Sequence, residues 1–155
     1  MVSGTINAAP FQAVLEPDGR YGPGQQSSHW FRPDETLLDG ASAKAGDIVH
    51  VSLEPTKDWI EPDVPDDLQR ALATAPKAEA VWKAITPGAR WEWIRWLRAV
   101  KTPETRKKHI AVALDKLNKG MRRPCCFNRN LCSDPDVSQN WVLLEPAQTT
   151  EQSQA

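Results

Sequence analysis

Hydrophobic and polar positions alternate with a period of two in the first third of the chain and then change to a helical period. In Pro10-Phe11-Gln12-Ala13-Val14-Leu15 the alternation puts Phe11, Ala13 and Leu15 on one face of a strand. Gly19, Gly22, Pro23 and Gly24 read as a loop, followed by a short strand at His29-Trp30-Phe31 and one helical turn from Pro33 ending near Gly40. The clearest strand signal is Ile48-Val49-His50-Val51-Ser52-Leu53, which follows the Gly46-Asp47 turn. Pro55, Pro62 and Pro65 lie among acids and end the sheet, because proline cannot donate to a ladder.

From Pro65 the apolar residues recur every three to four positions. Asp66 and Asp67 precede Leu68, Ala71 and Leu72, with the acids at the positive end of a helix dipole. Pro76 opens a second helix carrying Ala80, Val81, Ala84 and Ile85. Thr86-Pro87 and Thr102-Pro103 are cap-plus-first-position pairs that open a third and a fourth. The third has Trp93, Trp96, Leu97 and Val100 on one stripe, widened by Trp91 and Ile94. The fourth has Ile110, Leu114, Leu117 and Met121, with Gly120 as its C-terminal stop. The pattern thus predicts an α+β chain: a partial antiparallel sheet or open β-barrel over 1–60, a four-helix unit over 65–120, a cysteine-bearing docking tail over 121–146 with a strand or docking segment at Trp141 to Leu144, and disorder over 147–155.

Charge adds a segregation to this picture. Residues 1–66 hold 4 basic and 11 acidic groups, residues 67–130 hold 15 basic and 5 acidic groups, and residues 131–155 hold 4 acids and no base. The net charge of the whole is −1. Acidic and basic segments that complement each other within one fold are the simpler reading, and a basic face for a polyanion is the other. Arg95, Arg98, Lys101, Arg106, Lys107 and Lys108 line up as an anion-binding stripe on the last two helices. Trp82, Trp91, Trp93 and Trp96 fall within fifteen residues. Their helical spacing favours a core role, and Trp91, off the narrow stripe, is the stacking candidate for a base or flat ligand.

Cys125, Cys126 and Cys132 are weak metal candidates. With His29, His50 or His109 they have the composition of a Cys₃His zinc site, but the usual knuckle spacing is absent. A disulfide through Cys132 is a further option, and free, mostly buried thiols the favoured one. No nucleophile elbow, phosphate loop, dinucleotide fingerprint or metalloprotease motif occurs. No catalytic residue, cofactor or metal is therefore assigned, and a non-enzymatic role is expected. The longest apolar run, Ile110 to Leu114, is too short to span a bilayer, and the odd cysteine count suits a reducing compartment, so the expected location is the cytoplasm.

The order Pro65-Asp66-Asp67-Leu68-Gln69-Arg70-Ala71-Leu72, Trp91-x-Trp93-Ile94-Arg95-Trp96-Leu97 and Ala99-Val100-Lys101-Thr102-Pro103-Glu104-Thr105-Arg106-Lys107-Lys108 resembles the bacteriocin-protection, YdeI or OmpD-associated family. Its most specific mark is the Lys-x-Pro-Glu-Thr-Arg string. Upstream, Val2 to Phe11 resembles the middle, and Gly46 to Glu54 the last strand, of the small β-barrel domain of unknown function that often precedes it. The front half that usually comes before such a Gly-Thr-Ile-Asn stretch is missing, which implies a start displaced from its true place or a reduced sheet. The resemblance implies a small bacterial cytosolic protein linked to envelope stress or bacteriocin tolerance, and no particular reaction. A protein partner or self-association is expected, nucleic acid is the alternative, and no membrane insertion is expected. A reduced sheet leaves an open edge, so either a symmetric dimer joins sheets or Trp141 to Leu144 covers the edge.

Overall fold

The computed structural model describes residues 1–19, 23–24, 28–125, 127–134 and 137. The sheet begins with a hairpin of β1 (Val2–Ile6) and β2 (Ala9–Ala13), joined by the two-residue turn Asn7-Ala8. Both turn residues have positive φ, 46° and 71°, the handedness that matches strand twist. Asparagine tolerates it, whereas Ala8 bears a steric penalty of about 1 kcal/mol. Two short strands, β3 (Glu16–Pro17) and β4 (His29–Trp30), form a separate antiparallel pair. A single helix of six residues, α1 (Glu35–Gly40), is capped by the Asp34 side chain, which accepts from the Leu37 N–H at 2.8 Å. The strand β5 (Val51–Pro55) then returns antiparallel to β1, giving the order β2-β1-β5.

Register sorts the sheet into two faces. Gly4 lies opposite Phe11 on one side and Leu53 on the other, and Ile6 lies opposite Ala9 and Val51. Val2, Ile6, Phe11, Val51 and Leu53 therefore share an apolar face, while Ser3, Thr5, Gln12, Ser52 and Glu54 share a polar one. Gly4 is required: a Cβ there would sit 1.9 Å from the Ser52 carbonyl oxygen. The β2 side of the apolar face is covered, with Phe31 stacked on Phe11 at 4.9 Å and Gly40 of α1 against Ala9. The β5 side is not, and Val51 and Leu53 are each 45% exposed.

Among the described residues the sheet is antiparallel and does not close into a barrel. The strand expected over Ile48 to Leu53 starts three residues later, and Ile48 is fully exposed at 101%. The cause is the end of its partner. β1 stops at Ile6, and Asn7 closes the ladder: its N–H donates to the His50 carbonyl at 2.9 Å, and its Oδ1 accepts from the His50 N–H at 2.9 Å. No described residue pairs with 48 and 49. The strand expected over Pro10 to Leu15 likewise ends at Ala13, where β1 begins at Val2.

The helical unit follows the punctuation of the sequence. It comprises α2 (Asp66–Ala73), α3 (Pro76–Ala84), α4 (Pro87–Arg98) and α5 (Pro103–Asn118). Three of the four start with proline at the first position, where the missing N–H would be orphaned anyway. Thr86 and Thr102 cap α4 and α5, accepting from the N–H groups of Ala89 and Thr105. At the other end of α5, Gly120 takes φ 81°, and Gly120 and Met121 donate back to the carbonyls of Leu117 and Lys116. Leu68, Leu72, Trp82, Ile85, Trp93, Ile94, Leu97, Ala113 and Leu117 bury against one another as the core. Trp93 and Leu97 are wholly buried; Trp96, Ile110 and Leu114 pack on the rim, and Val100, expected on the stripe, lies half-buried past the helix end. No helix among the described residues is long and apolar enough to cross a membrane. Cys126, the Trp141 to Leu144 segment and residues 147–155 lie outside the described residues.

Candidate interaction surface

The six-residue basic stripe divides in two. Arg95 and Arg98, one turn apart on α4, both reach Glu16 of β3: Arg95 Nε donates to Glu16 Oε2 at 3.0 Å and Arg98 Nη2 to Oε1 at 2.7 Å. The three side chains are 11%, 26% and 9% exposed, so the charges are largely withdrawn from water and need one another. Arg95 also donates to the carbonyls of Arg129 and Leu131 and lies 5.5 Å over the Phe127 ring, and Arg98 donates to Ser133 Oγ. Together they fasten the β3 segment and residues 127–133 to α4.

Arg106 is equally committed. It grips Asp67 with two parallel bonds, Nε to Oδ2 at 2.5 Å and Nη2 to Oδ1 at 2.9 Å, and donates a third to the Leu97 carbonyl. The guanidinium beside Asp67 holds its carboxyl below the usual aspartate range, against a smaller opposing effect of burial. The same bond raises the Arg106 guanidinium further. α5 is thereby clamped to the first turn of α2 and the last turn of α4. Lys101, Lys107 and Lys108, by contrast, are exposed and form no ion pair with any described residue.

Trp91 is half-buried, and its Nε1 donates to the Ile60 carbonyl at 2.9 Å, so it pins the linker to α4 and its indole N–H is taken. Trp59 adds to this seam, its ring lying where a Cβ on Gly88 would meet it at 3.4 Å. Arg90 joins the same linker, bonded to both oxygens of Glu61 and to the carbonyls of Trp82 and Ile85. Beside it, Glu61, Val64, Leu72, Glu79, Trp82 and Arg90 surround an open hollow of about 410 Å³. A second hollow, about 380 Å³, lies against Phe11, Phe31 and α1.

Trp96 and His109 stack with ring centroids 4.2 Å apart, Trp93 meets Trp96 edge-on at 5.8 Å, and the Lys116 ammonium lies 5.8 Å over Trp96. Lys116 Nζ is 3.2 Å from Cys125 Sγ. Cys125 is exposed and Cys132 half-buried, and no group of three or more metal-ligating side chains gathers among the described residues. Arg123 and Arg129 pair with Glu92, leaving Arg122 exposed nearby.

Of the residues that decide this arrangement, Asp67 shows in the sequence only as a helix-start acid and His109 only as a metal candidate, and nothing local in the sequence points Glu16, Glu61, Asp67 or His109 to the partners they have here. Glu16 lies 79 and 82 positions from its arginines, and only the opposite charges of the two halves hint at such pairs.

The segment that these clamps organise is also the one that matches a known family. Residues 61–120 match the family described as Bacteriocin-protection, YdeI or OmpD-Associated. The match spans α2 to α5 together with the linker that holds Glu61. No curated protein and no solved structure matches the chain. Within the matched domain, the Lys-x-Pro-Glu-Thr-Arg string is an architectural device: Thr102 caps α5, Pro103 starts it, and Arg106 ties it to Asp67 and Leu97.

Proposed function

We propose that the chain is a cytoplasmic, non-enzymatic interaction protein that acts in tolerance to bacteriocins or envelope stress, and that Lys101, Lys107 and Lys108 face an acidic protein partner. The match of residues 61–120 to the bacteriocin-protection family carries the physiological part of this reading. The division of the basic stripe supports the molecular part. Arg95, Arg98 and Arg106 are occupied by Glu16 and Asp67, whereas the three lysines stand exposed at the start of α5. Lys101 directly precedes the N-cap Thr102, at the positive end of the helix dipole, where a cation is disfavoured unless an anion answers it.

The test is survival of a bacteriocin-sensitive bacterium expressing the chain. Wild type is expected to raise the tolerated bacteriocin concentration, and Lys101→Glu/Lys107→Glu/Lys108→Glu to abolish the gain while folding normally. Equal protection by the triple variant overturns the lysine surface, and no protection by wild type overturns the physiological role. A second reading, nucleic-acid or other anion binding, uses the same three lysines; three cations give weak, strongly salt-dependent binding to a polyanion.

A further inference from the structure

The sheet carries a second surface that owes nothing to the lysines. β5 is an edge strand, and its hydrogen bonds to β1 fix which of its backbone groups are left over. Asn7 donates to the His50 carbonyl and Thr56 to the Met1 carbonyl, so residues 50, 52, 54 and 56 turn their polar groups towards β1. The N–H and C=O groups of Val51 and Leu53 and the C=O of Pro55 therefore point off the free edge, and none bonds to a described residue. The edge lacks the features that blunt natural edges: residues 50–54 contain no lysine, no proline and no bulge, and Val51 and Leu53 present exposed apolar side chains on the face shared with Ile6 and Phe11.

We propose that this edge binds a second copy of the chain, with β5 antiparallel to β5 and Ser52 opposite Ser52 of the second copy. The pattern of the strand selects that register. It sets Val51 across from Leu53 of the second copy, and Leu53 across from Val51, so that the outward N–H and C=O groups of Val51 and Leu53 in each strand are satisfied. On the other face it sets His50 across from Glu54 of the second copy, twice, and the two Ser52 side chains on the axis. A register centred on Leu53 instead puts Val51 across from Pro55, which has no N–H to offer the Val51 carbonyl. The chosen register is self-complementary in backbone, apolar side chains and polar side chains, as a two-fold interface requires. It makes one six-stranded sheet, β2-β1-β5 continued through β5-β1-β2 of the second copy, and its apolar face runs unbroken across the junction.

Light scattering with size-exclusion chromatography at tens of micromolar tests this directly. The full chain is expected at about twice its 17.3 kDa mass. Leu53→Pro removes an N–H that faces away from β1, so it leaves the internal ladder whole and is expected to give a monomer with an unchanged circular dichroism spectrum. Val51→Lys is expected to do the same by placing a charge at the edge. Ser52→Cys is expected to form a disulfide-linked dimer on mild oxidation, because non-hydrogen-bonded antiparallel pairs bring Cα atoms to about 4.5 Å. Thr5→Cys, opposite Ser52 on the central strand, is expected to cross-link no more than wild type. A wild-type monomer at these concentrations overturns the proposal, as does a dimer that both edge variants leave intact. A monomer that dimerises only when residues 138–155 are removed overturns it too, and assigns the edge to the chain's own tail.

Discussion

Removing the Glu16 carboxylate is the sharpest single perturbation of the fold. Glu16→Ala leaves Arg95 and Arg98 facing each other with no anion between them, in a place where the three side chains are only 9–26% exposed. Arg95 keeps its carbonyl bonds to Arg129 and Leu131, and Arg98 keeps Ser133. Those dipoles answer the charge only in part. Breaking a buried pair by deleting one partner typically costs 3–5 kcal/mol, and the partial exposure of Arg98 argues for the lower end, about 3 kcal/mol. In a domain of this size that is a fall of about 6–12 °C in thermal midpoint. The assay is urea unfolding followed by tryptophan fluorescence, with Glu16→Ala, Arg98→Met and the double variant forming a cycle. The coupling between the two sites is expected at about 1.5–3 kcal/mol. The double variant is expected to be more stable than the sum of the two losses implies, because it removes the stranded charge with its partner. A cost for Glu16→Ala below about 0.5 kcal/mol, the range of exposed pairs, would refute the reasoning that β3 is held to α4 by these charges.

Four further outcomes follow from individual residues. Asp67→Asn is expected to lose under about 1 kcal/mol near neutral pH, since the pair is partly solvated. The Asp67 carboxyl lies below its usual 3.8 in the fold, so this contribution is present above that value and fades as the pH falls through the lowered one. The difference between wild type and Asp67→Asn in urea midpoint should therefore close in strong acid. Thr102→Ala is expected to cost about 1 kcal/mol, read as a lower thermal midpoint, through loss of the bond from the Thr105 N–H. Ala8→Gly is expected to gain about 0.5–1 kcal/mol by relieving φ 71°, whereas Gly4→Ala is expected to disrupt the β1–β5 pairing, seen as lost amide protection in that strand.

The helical unit was legible because its boundaries are written in residues with one purpose: Pro76, Thr86-Pro87, Thr102-Pro103 and Gly120 stand where the helices start and stop. Its core was legible for the same reason, since a period of 3.6 places Leu68, Leu72, Trp93, Leu97 and Leu117 inward. Strand bounds were less so. Ile48 and Val49 have strand-forming side chains, but a strand exists only where a neighbour runs beside it, and the neighbour turns at Asn7. The basic stripe shows a different limit. Spacing along α4 and α5 finds Arg95, Arg98 and Arg106, yet what they do depends on Glu16 and Asp67, which the chain brings to them from far upstream. The charge segregation anticipated the pairing of Glu16 with Arg95 and Arg98 without naming its members, whereas Asp67 lies within the basic segment itself. Trp91, the stacking candidate, lies half-buried, and its role as a hydrogen-bond donor to the linker depends on Ile60, thirty-one residues away.

The claim that internal carboxylates occupy the arginines and leave three lysines for a partner has a direct measure in the salt dependence of polyanion binding. Affinity for duplex DNA falls with salt at a logarithmic slope of about −0.9 per phosphate neutralised. Fluorescence titrations of the full chain with a short DNA duplex, from low to near-physiological salt, are expected to give a slope no steeper than about −2.7, the value for Lys101, Lys107 and Lys108 alone, with negligible binding at the upper end. A slope near −5.4 would require Arg95, Arg98 and Arg106 to contact phosphate as well. Such a slope, together with retained affinity at physiological salt, would contradict the account and make the basic helical face a nucleic-acid surface.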